Sequence, residues 1–234
     1  MRPLAARPGS VLKRTLDRSI EGDGTVDPAR ENETELERWN RRFGADGYLF
    51  GTAPNRFLAA QERHLRPGMR ALTLADGEGR NGVWLAERGL KVHSVDFSGV
   101  AIAKAQSLAA ARQVAIETEE ADLAQWRFPN QAYDLVAAIF IQFALPDLRD
   151  RIFDGICNAL VPGGLLLLQG YTPKQLEYGT GGPSDVERLY TEELLRAAFG
   201  HFEILALDQH EEIVAEGTGH AGLSALIDLV ARKP

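Results

Sequence analysis

A chain of 234 residues, 44% of them hydrophobic, is long enough to bury one substantial core, and its single cysteine excludes an intrachain disulfide and a cysteine-rich metal site. A formal net charge of −7 disfavours a nucleic-acid groove, and the longest uninterrupted apolar run, Leu135 to Ile141, is far shorter than the ~18 residues of a membrane span. These features predict a soluble, cytoplasmic protein with no metal, and disfavour nucleic acid and a membrane as partners.

Residues 1–33 differ from the rest. Arg2, Arg7, Lys13, Arg14 and Arg18 face only Asp17, and an acidic stretch with Gly22, Gly24 and Pro28 follows. With no sustained apolar period, the segment reads as a disordered or loosely docked tail, an organellar presequence being the alternative. A single domain is expected over 34–234. It opens at Thr-Glu-Leu-Glu, a capping box with Thr34 as N-cap and Glu37 reaching back, before a helix with Leu36, Trp39 and Phe43 on one face. The loop 44–51 carries Tyr48 and Phe50, which serve either as a lid or as anchors for the helices. Thr52 and Pro54 open a second helix bearing Phe57, Leu58 and Leu65, and Pro67-Gly68 turns the chain into the first strand.

Next comes the most informative stretch, Ala71 to Leu85, which reads as an apolar strand, a glycine turn and an amphipathic helix. Gly77 and Gly79 allow close backbone approach to a ligand, and the helix start offers unpaired N–H groups to its polar atoms. A second strand, Lys-Val-His-Ser-Val-Asp, ends in Asp96, which lies 17 residues past Gly79. That is near the ~20-residue offset at which an acid grips ribose hydroxyls, so a nucleoside-containing cofactor is the reading. Gly77, Gly79 and Gly82 complete G-x-G-x-x-G, a spacing compatible with NAD and with S-adenosylmethionine alike.

The alternation then continues. Ser98 caps a helix through about Ala111, with Ile102, Ala105, Leu108 and Ala109 available for packing. Residues 115–121 alternate as a half-exposed strand, followed by Asp122-Leu123. The continuous apolar run 133–141 is expected of a parallel strand covered on both faces. Leu148, Ile152, Ile156 and Leu160 mark the next helix, on a face of which Cys157 reads as a buried, inert thiol. Pro162-Gly163-Gly164 ends that helix, and Leu165 to Leu168 form a buried strand. A helix over 191–199 and strands around 202–209 and 223–232 complete the chain. The fold class is α/β: a doubly wound, mostly parallel seven-stranded sheet with an antiparallel last strand.

From about Leu36 onward the chain resembles the class I S-adenosylmethionine-dependent methyltransferases, with the small bacterial tellurite-resistance and thiopurine-type branch looking closest. The turn at 71–79 matches the family's first motif and Asp96 its ribose-binding acid, with Phe97 flanking adenine and Asp122-Leu123 meeting the adenine ring. Tyr133-Asp-Leu-Val opens the fourth motif, and Leu160-Val-Pro-Gly-Gly-Leu-Leu-Leu-Leu matches the helix–turn–strand step. The resemblance implies cofactor contacts from Ala75, Asp76, Gly77, Gly79, Asn81, Asp96, Phe97, Asp122, Leu123 and Phe140, with residues 34–66 as helices over the cofactor. Two positions depart from the family: Thr73 stands where it usually has an acid, and Ala75 where it has a glycine. Asp76 is the carboxylate available to replace the missing one.

Methyl transfer from a sulfonium asks mainly for in-line approach and desolvation, with a general base useful for a hydroxyl or amine acceptor. The candidates are Tyr171 at the end of the fifth strand, with His210, Glu211 and His220 near the last strands. Gln142, after the fourth strand, is placed to orient an acceptor. Loops 44–55 and 171–188 are expected to choose that acceptor. Two other readings use the same glycines and Asp96. One is a nicotinamide-dependent oxidoreductase, for which no Tyr-x-x-x-Lys is present. The other is a non-catalytic S-adenosylmethionine-binding or scaffold protein.

Overall fold

The computed structural model describes residues 33–234, and the expectations for residues 1–32 fall outside the described residues. In chain order the elements are α1 (Glu35–Phe43), α2 (Arg56–Ala60), β1 (Arg70–Leu74), α3 (Arg80–Glu87), β2 (Lys91–Asp96), α4 (Gly99–Ala111), β3 (Glu117–Glu120), β4 (Tyr133–Ile139), α5 (Pro146–Ala159), β5 (Leu160–Tyr171), α6 (Gln175–Tyr178), α7 (Glu192–Phe199), β6 (Glu203–Glu216) and β7 (His220–Arg232). They build one seven-stranded sheet in the order β3-β2-β1-β4-β5-β7-β6. The first five strands run parallel, and β7 is inserted antiparallel between β5 and β6.

The continuous apolar runs follow from burial on both faces. Leu72, Val136, Ala138, Leu166 and Leu168 pack into one core, while Ala71, Leu135, Ala137, Leu165 and Leu167 pack into the other. Leu72, Leu135, Leu166 and Leu167 are all 0% exposed, and truncating such a leucine to alanine costs about 2–5 kcal/mol. Because β1 neighbours both β2 and β4, the crossovers leave it in opposite directions. The resulting crevice at the carboxyl ends of β1 and β4 is where open α/β sheets bind ligands.

Several boundaries move, each for a local reason. The cap of α2 is Asn55 rather than Thr52, with its side chain accepting from the Leu58 N–H at 2.9 Å. The helix lasts one turn before a 3₁₀ turn over Glu62–His64. Pro162-Gly163-Gly164 lies within the irregular start of β5 instead of between elements, pinned by Gly163 N–H to the Lys233 carbonyl (2.8 Å) and Lys233 N–H to the Gly164 carbonyl (2.9 Å). Cys157 is half-buried, and burial pushes its thiol up to about 11, so it stays protonated.

The largest difference positions the site. Leu226 of β7 pairs with Tyr171 at the end of β5, yet the β6–β7 ladder continues to Glu216 opposite His220. The hairpin therefore overshoots the sheet on its ligand-binding side. Its tip docks on the 44–55 loop, with the N–H groups of Thr218 and Gly219 donating to the Leu49 carbonyl at 2.9 and 3.0 Å.

Candidate active site

The glycine turn is built under backbone constraint. Ala75, Gly77 and Gly79 all take positive φ, at 47°, 58° and 83°. Alanine at position 75 is disfavoured there by ~1–2 kcal/mol relative to glycine. Gly79 is the N-cap of α3, and a Cβ on it would lie 2.5 Å from the Ala105 Cβ of α4, so only glycine lets the two helices approach. Gly82 has a different task. Its N–H donates to Asp76 Oδ2 at 3.0 Å, and a Cβ on it would stand 2.6 Å from that oxygen and 3.3 Å from Thr73 Oγ1.

Asp76 thus points inward, between β1, β2 and α3, where Ser94 Oγ also donates to Oδ2 at 3.2 Å. The Thr73 hydroxyl faces the same carboxylate without meeting hydrogen-bond geometry. Burial dominates and raises the Asp76 carboxyl to about 6 against the pull of these donors.

Asp96 closes β2 with both carboxylate oxygens engaged: Oδ2 accepts from Gly77 N–H at 2.8 Å and Oδ1 from Ser98 N–H at 2.9 Å. Burial raises its pKa, opposed by the N–H groups of Ser98, Gly77 and Phe97. The carboxylate therefore fixes the glycine turn to the end of β2. Beside it opens a cleft of about 380 Å³ lined by Phe97, Glu120, Ala121, Asp122 and the first residues of α1, Thr34 to Leu36. Phe97 and Asp122 are brought together there. Leu123 instead sits 4% exposed in the core behind them.

The loop 44–55 covers the glycine turn and is anchored to it. A Cβ on Gly77 would lie 3.3 Å from the Phe43 ring, so that ring rests directly over the turn. Trp39, Phe43 and Phe50 form a continuous aromatic layer above it, with centroids 5.2–6.5 Å apart. Glu78 ties the lid down: it accepts from Leu49 N–H at 2.7 Å and from Lys104 Nζ at 2.9 Å. Lys104 in turn donates to the carbonyls of Ala45 and Gly47 at 2.8 and 2.7 Å. Asn81 Oδ1 accepts from Asn55 N–H at 2.9 Å and holds the start of α2. Sequence reasoning missed Glu78, Lys104 and Arg80, because a charged residue beside a glycine turn or on a helix face looks like any solvated one.

At the carboxyl ends of β4 and β5 lies a cage of rings. Phe140 breaks β4 with φ 55°. Its ring is 4.8 Å from that of Tyr171 and 4.4 Å from that of His220, and Phe50 approaches His220 from the lid at 4.4 Å. Alongside runs a buried ion pair, Arg80 to Glu216 at 2.6 Å, with both side chains 7% exposed. Burial alone would raise Glu216; contacts with His220 and Arg80 outweigh it and hold the carboxyl at about 2. Burial likewise lowers His220 and raises Tyr171, keeping both uncharged.

Of the other expected acid–base or orienting groups, three stand elsewhere. Gln142 Nε2 donates to the carbonyls of Tyr171 (2.9 Å) and Arg188 (3.0 Å), and its Oε1 accepts from Tyr171 N–H, so the amide is fully committed to bracing the strand ends. His210 lies out along β6, bonded to Asp228 at 3.0 Å. Glu211 pairs at the surface with Lys174 and Tyr178. Among the described residues, no cluster of three or more His, Cys, Asp or Glu side chains is arranged to hold a metal.

Comparison with known proteins agrees with this geometry. Residues 71–164 match the family described as a methyltransferase domain. Phosphoethanolamine N-methyltransferase 1 of Zea mays is 27% identical over 150 residues, which is 62% of this chain and 29% of that protein. An uncharacterized protein of Mycobacterium tuberculosis is 26% identical over 154 residues, 63% of this chain and 56% of that one. The chain thus spans less than two thirds of either relative. Among solved structures, TehB from Haemophilus influenzae superposes with a TM-score of 0.65 at 17% identity, covering 85% of this chain and 67% of that one. N-methyltransferase NodS from Bradyrhizobium japonicum, in complex with S-adenosyl-L-homocysteine, superposes with a TM-score of 0.63 at 13% identity, covering 85% and 98%. The match to a methyltransferase domain thus covers residues 71–164, which hold the glycine turn, Asp96 and the Pro162-Gly163-Gly164 step, and the solved structures share the fold.

Proposed function

We propose that the chain transfers the methyl group of S-adenosylmethionine to a small-molecule acceptor, as a cytoplasmic enzyme on a diffusible substrate. The observation that carries the reading is Asp96: a buried carboxylate at the end of β2, beside Gly77 N–H and next to the open cleft with Phe97 and Asp122. A ribose seated there donates its hydroxyls to Asp96, adenine enters the Phe97–Asp122 cleft, and the methionine end lies along the turn at 75–79 under the Phe43–Phe50 layer. Bound there, the cofactor supplies an electrophilic methyl group. The protein's own contributions are exclusion of water by the lid and alignment of the acceptor.

S-adenosylmethionine or S-adenosylhomocysteine should raise the melting temperature, whereas NAD and NADP should not. Stabilisation by mass action reaches about 2.7 kcal/mol at a hundredfold excess over the dissociation constant. Asp96→Ala should weaken S-adenosylhomocysteine binding by at least ~2 kcal/mol, since charge-assisted hydrogen bonds are lost. A shift with NADP alone, or unchanged calorimetric affinity in folded Asp96→Ala, would refute the assignment.

A further inference from the structure

We infer that Glu120 is a specificity-determining residue of the cofactor cleft, which admits an adenine nucleoside with free ribose hydroxyls and turns away one phosphorylated on them. The inference rests on the methyl-transfer reading above and deepens it by naming which adenosine derivatives the cleft takes.

Asp96 and Glu120 are Cα partners at the ends of the parallel strands β2 and β3, and Ala121 N–H continues the pairing by donating to the Asp96 carbonyl at 2.9 Å. Paired residues of neighbouring strands face the same side of a sheet, with the strands ~4.8 Å apart. The two carboxylates differ in their surroundings. Asp96 accepts the N–H groups of Gly77 and Ser98 at 2.8 and 2.9 Å. Glu120 lines the open cleft, and its carboxylate has no hydrogen bond or ion pair among the described residues. Its neighbour Glu119, by contrast, is committed to His93 (3.1 Å) and to the Trp126 indole N–H (2.9 Å).

A phosphate on a ribose held by Asp96 would be received at the start of α4, since a helix N-terminus presents free N–H groups to anions. Protein groups fill that place. Ser98 N–H is taken by Asp96, and Ala101 N–H donates to Ser98 Oγ at 3.2 Å. The Glu120 carboxylate stands against Gly99, where an added Cβ would meet Oε2 at 2.6 Å, so glycine at the first position of α4 is what lets it come so close. No cation offsets it from the walls. None of the lining residues is a lysine, arginine or histidine, and Arg38, on the next turn of α1, is paired with Glu35 at 3.4 Å. Asp122 adds a further carboxylate to the lining, with Oδ1 accepting from Ala124 N–H at 2.8 Å.

The selection follows from charge. The adenine amino group and the ribose hydroxyls donate hydrogen bonds and suit carboxylates, whereas a phosphate on a ribose oxygen only accepts and carries nearly two negative charges. In a water-like dielectric, a unit charge on the order of 6 Å away changes affinity about threefold, and a doubly charged phosphate about tenfold. Glu120 therefore separates S-adenosylmethionine, whose ribose is unmodified, from adenine cofactors that carry a ribose phosphate.

The test titrates the full chain with S-adenosylhomocysteine by calorimetry, alone and in competition with adenosine or adenosine 2′-monophosphate. The quantity read is the ratio of the two competitors' affinities within each protein, which cancels any general change in the cleft. The wild type should prefer adenosine by roughly tenfold or more. Glu120→Gln, which keeps the size and removes the charge, should narrow that preference roughly three- to tenfold, and Glu120→Lys should narrow it further. Added salt should narrow it in the wild type, and less so in Glu120→Gln. Saturable binding of S-adenosylhomocysteine shows that each variant is folded. Equal affinity of the wild type for both competitors, or a ratio unmoved in Glu120→Gln and Glu120→Lys, overturns the role of Glu120 alone. If S-adenosylhomocysteine fails to bind the wild type, the methyl-transfer reading falls and takes this one with it.

Discussion

Replacing Asp76 with asparagine removes a carboxylate from a place where its hydrogen bonds do not offset its burial. Gly82 N–H and Ser94 Oγ reach the same oxygen, at 3.0 and 3.2 Å, yet the carboxyl is raised from 3.8 to about 6. At ~1.36 kcal/mol per pKa unit, keeping the group ionised at neutral pH costs the native state on the order of 3 kcal/mol relative to its protonated form. The sign follows from linkage. The folded carboxyl binds its proton more tightly than the unfolded one, so it contributes stability in full below its unfolded pKa of 3.8, and that contribution is lost as pH rises through about 6. Asparagine does not titrate and keeps an oxygen for Gly82 N–H. Asp76→Asn should therefore be more stable than the wild type at about pH 8 by roughly 1–3 kcal/mol, and about equal to it near pH 4. Urea denaturation across that range reads both proteins, with unchanged m-values confirming that only stability moved. Parallel pH profiles, or a variant less stable than the wild type at the alkaline end, would refute the argument.

Thr73→Asp should destabilise the protein by ~2–4 kcal/mol at neutral pH by placing a second buried carboxylate against the first. Thr73→Asp/Asp76→Asn should recover more than half of that loss, and strict additivity in the denaturation cycle would count against it. Gly79→Ala should cost at least ~2 kcal/mol, since it combines φ 83° with a clash against Ala105; a melting temperature within about 2 °C of the wild type would contradict this. Glu78→Ala should speed hydrogen exchange at 45–51 and leave β1 and β4 protected, because it frees Leu49 N–H and Lys104 together; unchanged exchange in the loop would show that the lid is held otherwise.

The elements whose signals are local were legible in the chain itself. Thr34 and Glu37 form their capping box, Ser98 caps α4 with its side chain accepting from Ala101 N–H, and the continuous apolar runs become the central strands. Each depends on residues within a few positions, where spacing fixes which groups meet. The glycine turn and Asp96 were legible for the same reason, since a strand–turn–helix–strand unit places them by count. What only the tertiary structure decided is how those local units are joined. Arg80 meets Glu216 across 136 residues of chain, and Glu78, Lys104 and Leu49 N–H converge from three separate elements. His220, and not His210, reaches the ring cage because β7 pairs with β5 in a register that carries its first residues past Tyr171. Gln142 and Asp76, polar and next to the expected pocket, turn to the backbone and the interior instead. A polar side chain takes whichever donors and acceptors burial leaves beside it, and that choice is made between segments distant in sequence, where no periodicity of the chain records it.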